Sequence, residues 1–370
     1  MTPWLAQGET RIWTNNAGQQ VEAEFIAVDA DHVKIKRVAD GRMFSFPISS
    51  LSAEDQIFIE SFKFAEESKS AEQGPVKEFD GLQWPRRVGL PDDYEVEVVQ
   101  EDNDAREYIY RTTNFEFHSD VKLSRKVVRE FSKIFEATYS AMQVFPLEWK
   151  PQPIESYFVT RLFENKMDYY AAGGLPNSGG VYFSSKREIW TPLASLGVKK
   201  SSSGYTSDDS GDHSTLIHEI THQLHHEWLS RLPPWLIEGL AVYMESVPYD
   251  DGEFRFDKRE LDEFDRVSRR GASRLVNLET LMTMTGAAWN ANFTKAPDLL
   301  GEYYLSAFLL INYYLHLDGE GEGRRLYAYV RAIETGVSDA EARKILLAGR
   351  SYEQLTEDVK KAYKREDIDL

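Results

Sequence analysis

The sequence predicts a multidomain chain, with a small all-β barrel followed by an α+β domain that carries a mixed sheet first and a helical subdomain last. Three observations predict this. Apolar residues alternate with polar ones near the N-terminus, a polar Gly-Pro stretch interrupts the chain near residue 75, and strand-like runs give way to helical spacing after residue 213. The 370 residues leave room for two or three domains, and a hydrophobic share of 42 % with 28 % charged residues is that of an ordinary globular protein.

Residues 11–62 form the expected barrel. Val21, Ala23 and Phe25 alternate with polar neighbours, as do Val33 and Ile35, then Phe44, Phe46 and Ile48. Turn-forming residues separate these runs: Asn15-Asn16-Ala17-Gly18, Asp29-Ala30-Asp31 and Asp40-Gly41, the last a tight-hairpin signal. Ser52 then caps a short helix with Asp55 at its third position. Residues 63–80, charged and containing Gly74-Pro75, read as a linker. The second domain spans 81–370, divided into an α/β part over 81–212 and a helical part over 213–370. Strands are expected near Tyr94–Val99, Asn114–Phe117, Tyr157–Leu162 and Gly180–Ser184. A helix is expected from Ser124 to Met142, since Val127, Val128, Phe131, Ile134, Phe135 and Tyr139 repeat at three and four. The Ser- and Gly-rich stretch Ser201–Gly211 reads as a lid or as disorder. From about Ser214 the pattern is almost all helix.

Charge and composition narrow the function. Forty-three Lys and Arg against sixty-one Asp and Glu leave a net charge of −18, which repels nucleic acid. With no cysteine, thiolate metal sites, iron–sulfur clusters and cysteine nucleophiles are excluded, so any metal must rely on His, Asp or Glu. The lack of Cys fits an exported protein, and an extracytoplasmic location is expected although the first residues carry no signal-peptide pattern. The most apolar late stretch, Leu305–Leu315, is too short for a membrane span and reads as a buried helix.

The first segment resembles the Sla homology domain one family, whose fold resembles a Src-homology-three (SH3) barrel. The resemblance rests on Arg11-x-Trp13-Thr14, Gly18, Val21-x-Ala23-x-Phe25, Gly41-Arg42, Phe46-Pro47-Ile48 and Leu51-Ser52-x-x-Asp55-Gln56. It implies a domain able to bind short peptide motifs, and so a protein partner docking through the barrel; a structural appendage is the alternative.

The chemistry lies further on. His218-Glu219-Ile220-Thr221-His222 is an HExxH motif, and Ile217, Ile220, Leu224 and Trp228 give it a helical apolar stripe. Residues four apart share a helix face, so His218 and His222 can aim two imidazoles at one ion. Glu219, turned about 100° away, suits a carboxylate that reaches a water there without binding the metal. Sixteen residues after His222, Glu238 sits inside the apolar run Trp235-Leu236-Ile237-Glu238-Gly239-Leu240-Ala241, behind Pro234 in a helix's first turn. A carboxylate buried there needs a cation or a metal. Two His and one Glu leave a position open for water, the ligand set of a catalytic zinc site.

From His218 to Met244 the sequence resembles the gluzincin metallopeptidases, most closely bacterial peptidase-like domains with Trp-Leu-x-Glu-Gly-x-Ala-x-Tyr after HExxH; a looser likeness runs from about Gly81 to the C-terminus. The resemblance implies a zincin-like domain in which His218, His222 and Glu238 bind Zn2+ and Glu219 is the general base. The Asn-Glu-x-x-x-Asp form of aminopeptidases is absent, because Ile237 precedes Glu238 and Val242 stands where an acid would orient a histidine. No Gly-x-Met-Glu-Asn segment occurs upstream, so aminopeptidase activity is disfavoured. Glu245, Asp208, Asp209 and Asp212 are the candidates for the orienting role. Family members also place a tyrosine or histidine donor in the C-terminal helices, and Gly301-Glu302-Tyr303-Tyr304-Leu305-Ser306-Ala307 fits, with Tyr303 preferred over Tyr304; simple aromatic packing is the alternative. His226 lies too far along the helix for the same ion, His225 is expected in solvent, and His213 and His118 have no partner at ligand spacing.

The expected function is zinc-dependent hydrolysis of a peptide or protein substrate by an endopeptidase. Two rivals are a catalytically silent scaffold whose barrel docks a partner, and a zinc hydrolase of a non-peptide amide or ester.

Overall fold

The computed structural model describes residues 10–370 except 17, 30, 53–54, 57–58, 60–81, 154–155, 177, 203, 208–212, 259–273, 296, 320, 367 and 369. The stretch read as a linker, 63–80, therefore lies outside the described residues, as do Asp208, Asp209 and Asp212. Two compact units divide the chain: Met1–Asp80 with Ser230–Leu232 and Arg324–Ser351, and Gly81–Leu229 with Pro233–Gly323 and Tyr352–Leu370.

The first unit contains an antiparallel sheet of four strands in chain order, β1 (Thr10–Thr14), β2 (Gln20–Asp29), β3 (His32–Arg37) and β4 (Met43–Pro47). The alternating residues supply its core, where Trp13, Ala23, Phe25, Val33 and Ile35 pack with Leu51 and Ile59. The Ser52 cap forms as expected, with the Asp55 N–H donating to Ser52 Oγ at 3.3 Å. The Asp55 carboxylate also accepts from the Thr14 N–H at 2.6 Å and pairs with Arg11 at 2.9 Å, which ties the segment after β4 back to β1 and satisfies a buried charge. The tight connection falls between β2 and β3 rather than at Asp40-Gly41, where Arg37 and Arg42 instead close a wider loop through the Arg37 N–H to Arg42 C=O bond.

The second unit is built on a mixed six-stranded sheet. Its strands are β5 (Glu97–Asp102), β6 (Glu107–Arg111), β7 (Phe115–Ser119), β8 (Phe158–Phe163), β9 (Val181–Phe183) and β10 (Glu188–Pro192), in spatial order β5-β6-β7-β8-β10-β9. The β7/β8 and β8/β10 pairs are parallel, while β9 is an antiparallel edge strand. Helix α1 (Arg125–Gln143), capped by Ser124, crosses from β7 to β8. It buries Phe131 and Phe135 edge-on against Phe117 of the sheet. Its one buried acid, Glu136, accepts from Thr112 Oγ1 at 2.6 Å, the Asn114 N–H at 2.8 Å and Asn114 Nδ2 at 2.7 Å, so it holds the β6–β7 turn. A short helix, α2 (Lys166–Ala172), follows β8. Part of the Ser- and Gly-rich stretch is a hairpin, β11 (Val198–Ser201) with β12 (Gly204–Ser207).

Helices then dominate: α3 (Ser214–Leu224), α4 (His226–Leu229), α5 (Pro234–Ser246), α6 (Leu278–Thr283), α7 (Gly286–Lys295) and α8 (Pro297–Asn312), which runs on as a π-helix over Tyr313–Leu317. A small hairpin, β13 (Tyr249–Asp250) with β14 (Glu253–Phe254), interrupts the run that the sequence reads as almost all helix. Leu305–Leu315 is buried, as expected. Among the described residues no helix is long and apolar enough to cross a membrane. The last helices are α9 (Arg324–Glu334), α10 (Asp339–Leu347) and α11 (Tyr352–Lys364). Of these α9 and α10 belong to the first unit, because helical periodicity reports which face is apolar and not which neighbour covers it.

Candidate metal centre

Helix α3 turns Leu216, Ile217, Ile220 and Leu224 into the core and leaves His218, Glu219 and His222 half-buried. Gln223 fixes the helix against the sheet. Only 2 % exposed, it donates from Nε2 to the backbone carbonyls of Val159 on β8 at 2.8 Å and Arg187 before β10 at 3.1 Å. Helix α5 starts with Pro234 in its first turn and brings Glu238 opposite the two histidines. Gly239 sets the depth of that approach, because a Cβ there would stand 2.5 Å from the Ala307 carbonyl oxygen of α8.

The three donor atoms converge. His218 Nε2 lies 3.2 Å and His222 Nε2 3.3 Å from Glu238 Oε2, and the two imidazole nitrogens are 3.0 Å apart. Ligands held about 2.0–2.1 Å from a tetrahedral zinc ion stand about 3.3–3.4 Å from one another, so the spacing fits. His222 Nδ1 is buried with no hydrogen-bond partner among the described residues, as if its ring were set by its other nitrogen. Electrostatics point the same way. Burial disfavours a charge on His218, but the bond to Glu238 and the Glu245, Glu238 and Glu219 charges prevail and raise its pKa to about 9. Burial alone would push the Glu238 carboxyl up, yet the His222 charge and the two histidine bonds hold it well below the usual carboxylate range. The site is thus an anionic carboxylate against two histidines, with His218 protonated at neutral pH while no metal displaces the proton, a donor set whose chemistry fits a divalent cation.

Glu219 stays out of the donor cluster. Its Oε2 accepts the backbone N–H of Tyr182, on the edge strand β9, at 2.7 Å. Of the four candidates for orienting a histidine, Glu245 is the one the described residues place nearby, with Oε2 3.9 Å from His218 Nδ1 and two helical turns beyond Glu238. The tyrosine at the site is Tyr304 rather than the preferred Tyr303. Both tyrosines pack against Trp289, Tyr303 at 6.0 Å and Tyr304 at 5.5 Å, but it is Tyr304 whose ring centroid also lies 6.1 Å from that of His218. Burial, then the Glu238 and Glu219 charges, keep its phenol well above the ordinary value and therefore protonated.

The other histidines take separate places. His225, expected in solvent, is instead 2 % exposed with its ring edge-on to Trp149 at 5.0 Å, and burial followed by the His222 charge lowers its pKa to about 3. His226 turns Nδ1 to the Tyr182 hydroxyl at 2.7 Å, and His118 pairs with Glu116 at 2.6 Å. His213 stacks edge-on to Tyr249. The sequence reading missed Gln223 and the Tyr182 backbone, the first because a glutamine after HExxH carries no ligand signal, the second because a main-chain donor leaves none.

Comparison with known proteins identifies the first segment. No curated protein matches the chain, but residues 5–67 match the family model of SLA1 homology domain 1, so the N-terminal sheet unit carries this domain.

Proposed function

We propose that the second unit is a zincin-like hydrolase and that the chain acts as a zinc metallo-endopeptidase of gluzincin type. The convergence of His218, His222 and Glu238 at 3.0–3.3 Å, with Glu219 beside them but outside the cluster, carries this reading. His218, His222 and Glu238 would hold the zinc, which when bound would supply Lewis acidity toward a scissile carbonyl. Glu219 takes the water's proton on a carboxylate oxygen and passes it to the leaving amine. Its anchor on the Tyr182 N–H keeps the carboxylate aimed while the proton is away. The Tyr304 phenol, protonated at neutral pH, donates to the oxyanion that develops as the carbonyl is attacked. The edge strand β9 offers an extended substrate a backbone to pair with. The SLA1 homology domain 1 match supports a protein partner for the first unit.

Replacing Glu219 with Gln tests the assignment. Turnover of a peptide library should fall by roughly 10²–10⁴ while zinc stays bound. Full activity in Glu219→Gln rejects Glu219 as the base. Silence of the zinc-loaded wild-type chain on every peptide rejects the peptidase and favours the scaffold or non-peptide rivals.

A further inference from the structure

A cavity of about 210 Å³ opens along α3 just beyond the metal cluster, lined by Gln223 and His226, which follow His222 by one and four residues. Tyr157 and Phe158 at the start of β8, with Tyr182, give it apolar walls. Tyr182 belongs to both places, because its N–H holds Glu219 while its ring lines the cavity and its hydroxyl meets His226. A side chain seated here would belong to a substrate whose backbone runs along β9 beside the candidate base.

The charges at the cavity are unequally committed. Glu188 is engaged by Arg161 Nε at 2.6 Å and Trp190 Nε1 at 2.7 Å, and Arg187 pairs with Glu227 at 2.6 Å. Lys186 differs. Its Nζ rests 4.0 Å from the centroid of the Trp190 ring, a cation–π contact that fixes the ammonium at the rim; its charge helps hold the Glu188 carboxyl down, but it makes no ion pair within 4 Å among the described residues. In a chain of net charge −18, a positioned cation with no close ion pair among the described residues, beside an apolar-walled cavity, favours an anionic group with an aliphatic body.

The geometry points to this cavity as a specificity subsite for a substrate carboxylate, with Lys186 as the residue that selects it. The carboxylate belongs either to an acidic side chain of glutamate size or to a peptide C-terminus; the recognition chemistry is the same. The word substrate rests on the hydrolase reading, but binding in the cavity does not.

The test uses the full-length Glu219→Gln chain, so that binding is read without turnover, and three probes: N-acetylglutamate methylamide, its glutamine counterpart, and N-acetylalanine with a free carboxylate. Binding is followed by calorimetry and by NMR of the Lys186 side chain. The glutamate probe or the N-acetylalanine probe should bind about three- to ten-fold more tightly than the neutral glutamine probe, and whichever does so names the source of the carboxylate. Lys186→Met, which keeps the stem on Trp190, should erase the preference, and Lys186→Arg should keep most of it. Equal binding of all three probes, or a preference that survives Lys186→Met, overturns the subsite. If the preference holds while the wild-type chain cleaves no peptide, the subsite stands and the peptidase reading falls.

Discussion

Replacing Gly239 with Ala perturbs the packing that sets the His218–His222–Glu238 cluster. The added Cβ would stand 2.5 Å from the Ala307 carbonyl oxygen, 2.8 Å from its carbon and 2.8 Å from Ile311 Cγ1. Ordinary contact begins near 3.4 Å, so α5 and α8 must part by roughly 0.6–0.9 Å or the helix must bend. Two of the three atoms are backbone and cannot swing aside. Overpacking of this kind costs about 1–3 kcal/mol, against a helix-propensity gain of up to about 1 kcal/mol from removing a glycine. Thermal unfolding of the second unit should drop by several degrees, at about 2–4 °C per kcal/mol for a domain of this size. Because the proposed ligand Glu238 adjoins Gly239 on α5, zinc affinity and any turnover should fall with it. Gly286→Ala is the control, since nothing lies within 4 Å of its Cβ and it should leave stability unchanged or slightly raised. Scanning calorimetry on both variants checks the argument, and Gly239→Ala with wild-type melting and metal affinity would refute it.

Two further variants probe the frame around the site. His225 has a folded pKa of about 3 against about 6.5 unfolded, so as pH falls below 6.5 the unfolded chain takes up a proton that the folded chain refuses. Its contribution to stability, intact above pH 7, should decline by about 2 kcal/mol by pH 5; urea titrations at pH 7.5 and 5.0 should show this loss in the wild type and a smaller one in His225→Phe, and equal losses contradict it. Glu136→Gln should destabilise the second unit by about 1–3 kcal/mol, because whichever carboxylate oxygen the amide NH2 replaces, it then faces a donor of Thr112 or Asn114; an unchanged denaturation midpoint would show that the turn does not depend on this carboxylate.

What the sequence makes legible follows from local rules. The Ser124 cap and the apolar stripe of α1 are written within one helix, as is the reciprocal bond of Ser52 and Asp55. The spacing of His218 and His222 is local too, and the odd placement of Glu238 in an apolar run marks it as a residue with a buried partner. What stays hidden depends on neighbours far along the chain. β10 (EIWTP) is buried over most of its length, so it shows no clean alternation, and β11 and β12 are short and mostly polar, with Val198 buried at the start of β11. Tyr303 and Tyr304 are neighbours on one helix, and the choice needs the position of the His218 ring, 6.1 Å from that of Tyr304. His225 looks like a surface residue until Trp149, 76 positions earlier, covers it. Glu245 reaches His218 only because α5 carries it within 3.9 Å, a placement that needs the fold.

If His218, His222 and Glu238 hold a metal, elemental mass spectrometry of the purified 370-residue chain will find about one zinc per chain, lost in His218→Ala. No metal in the wild-type chain, even after incubation with zinc, would contradict that assignment.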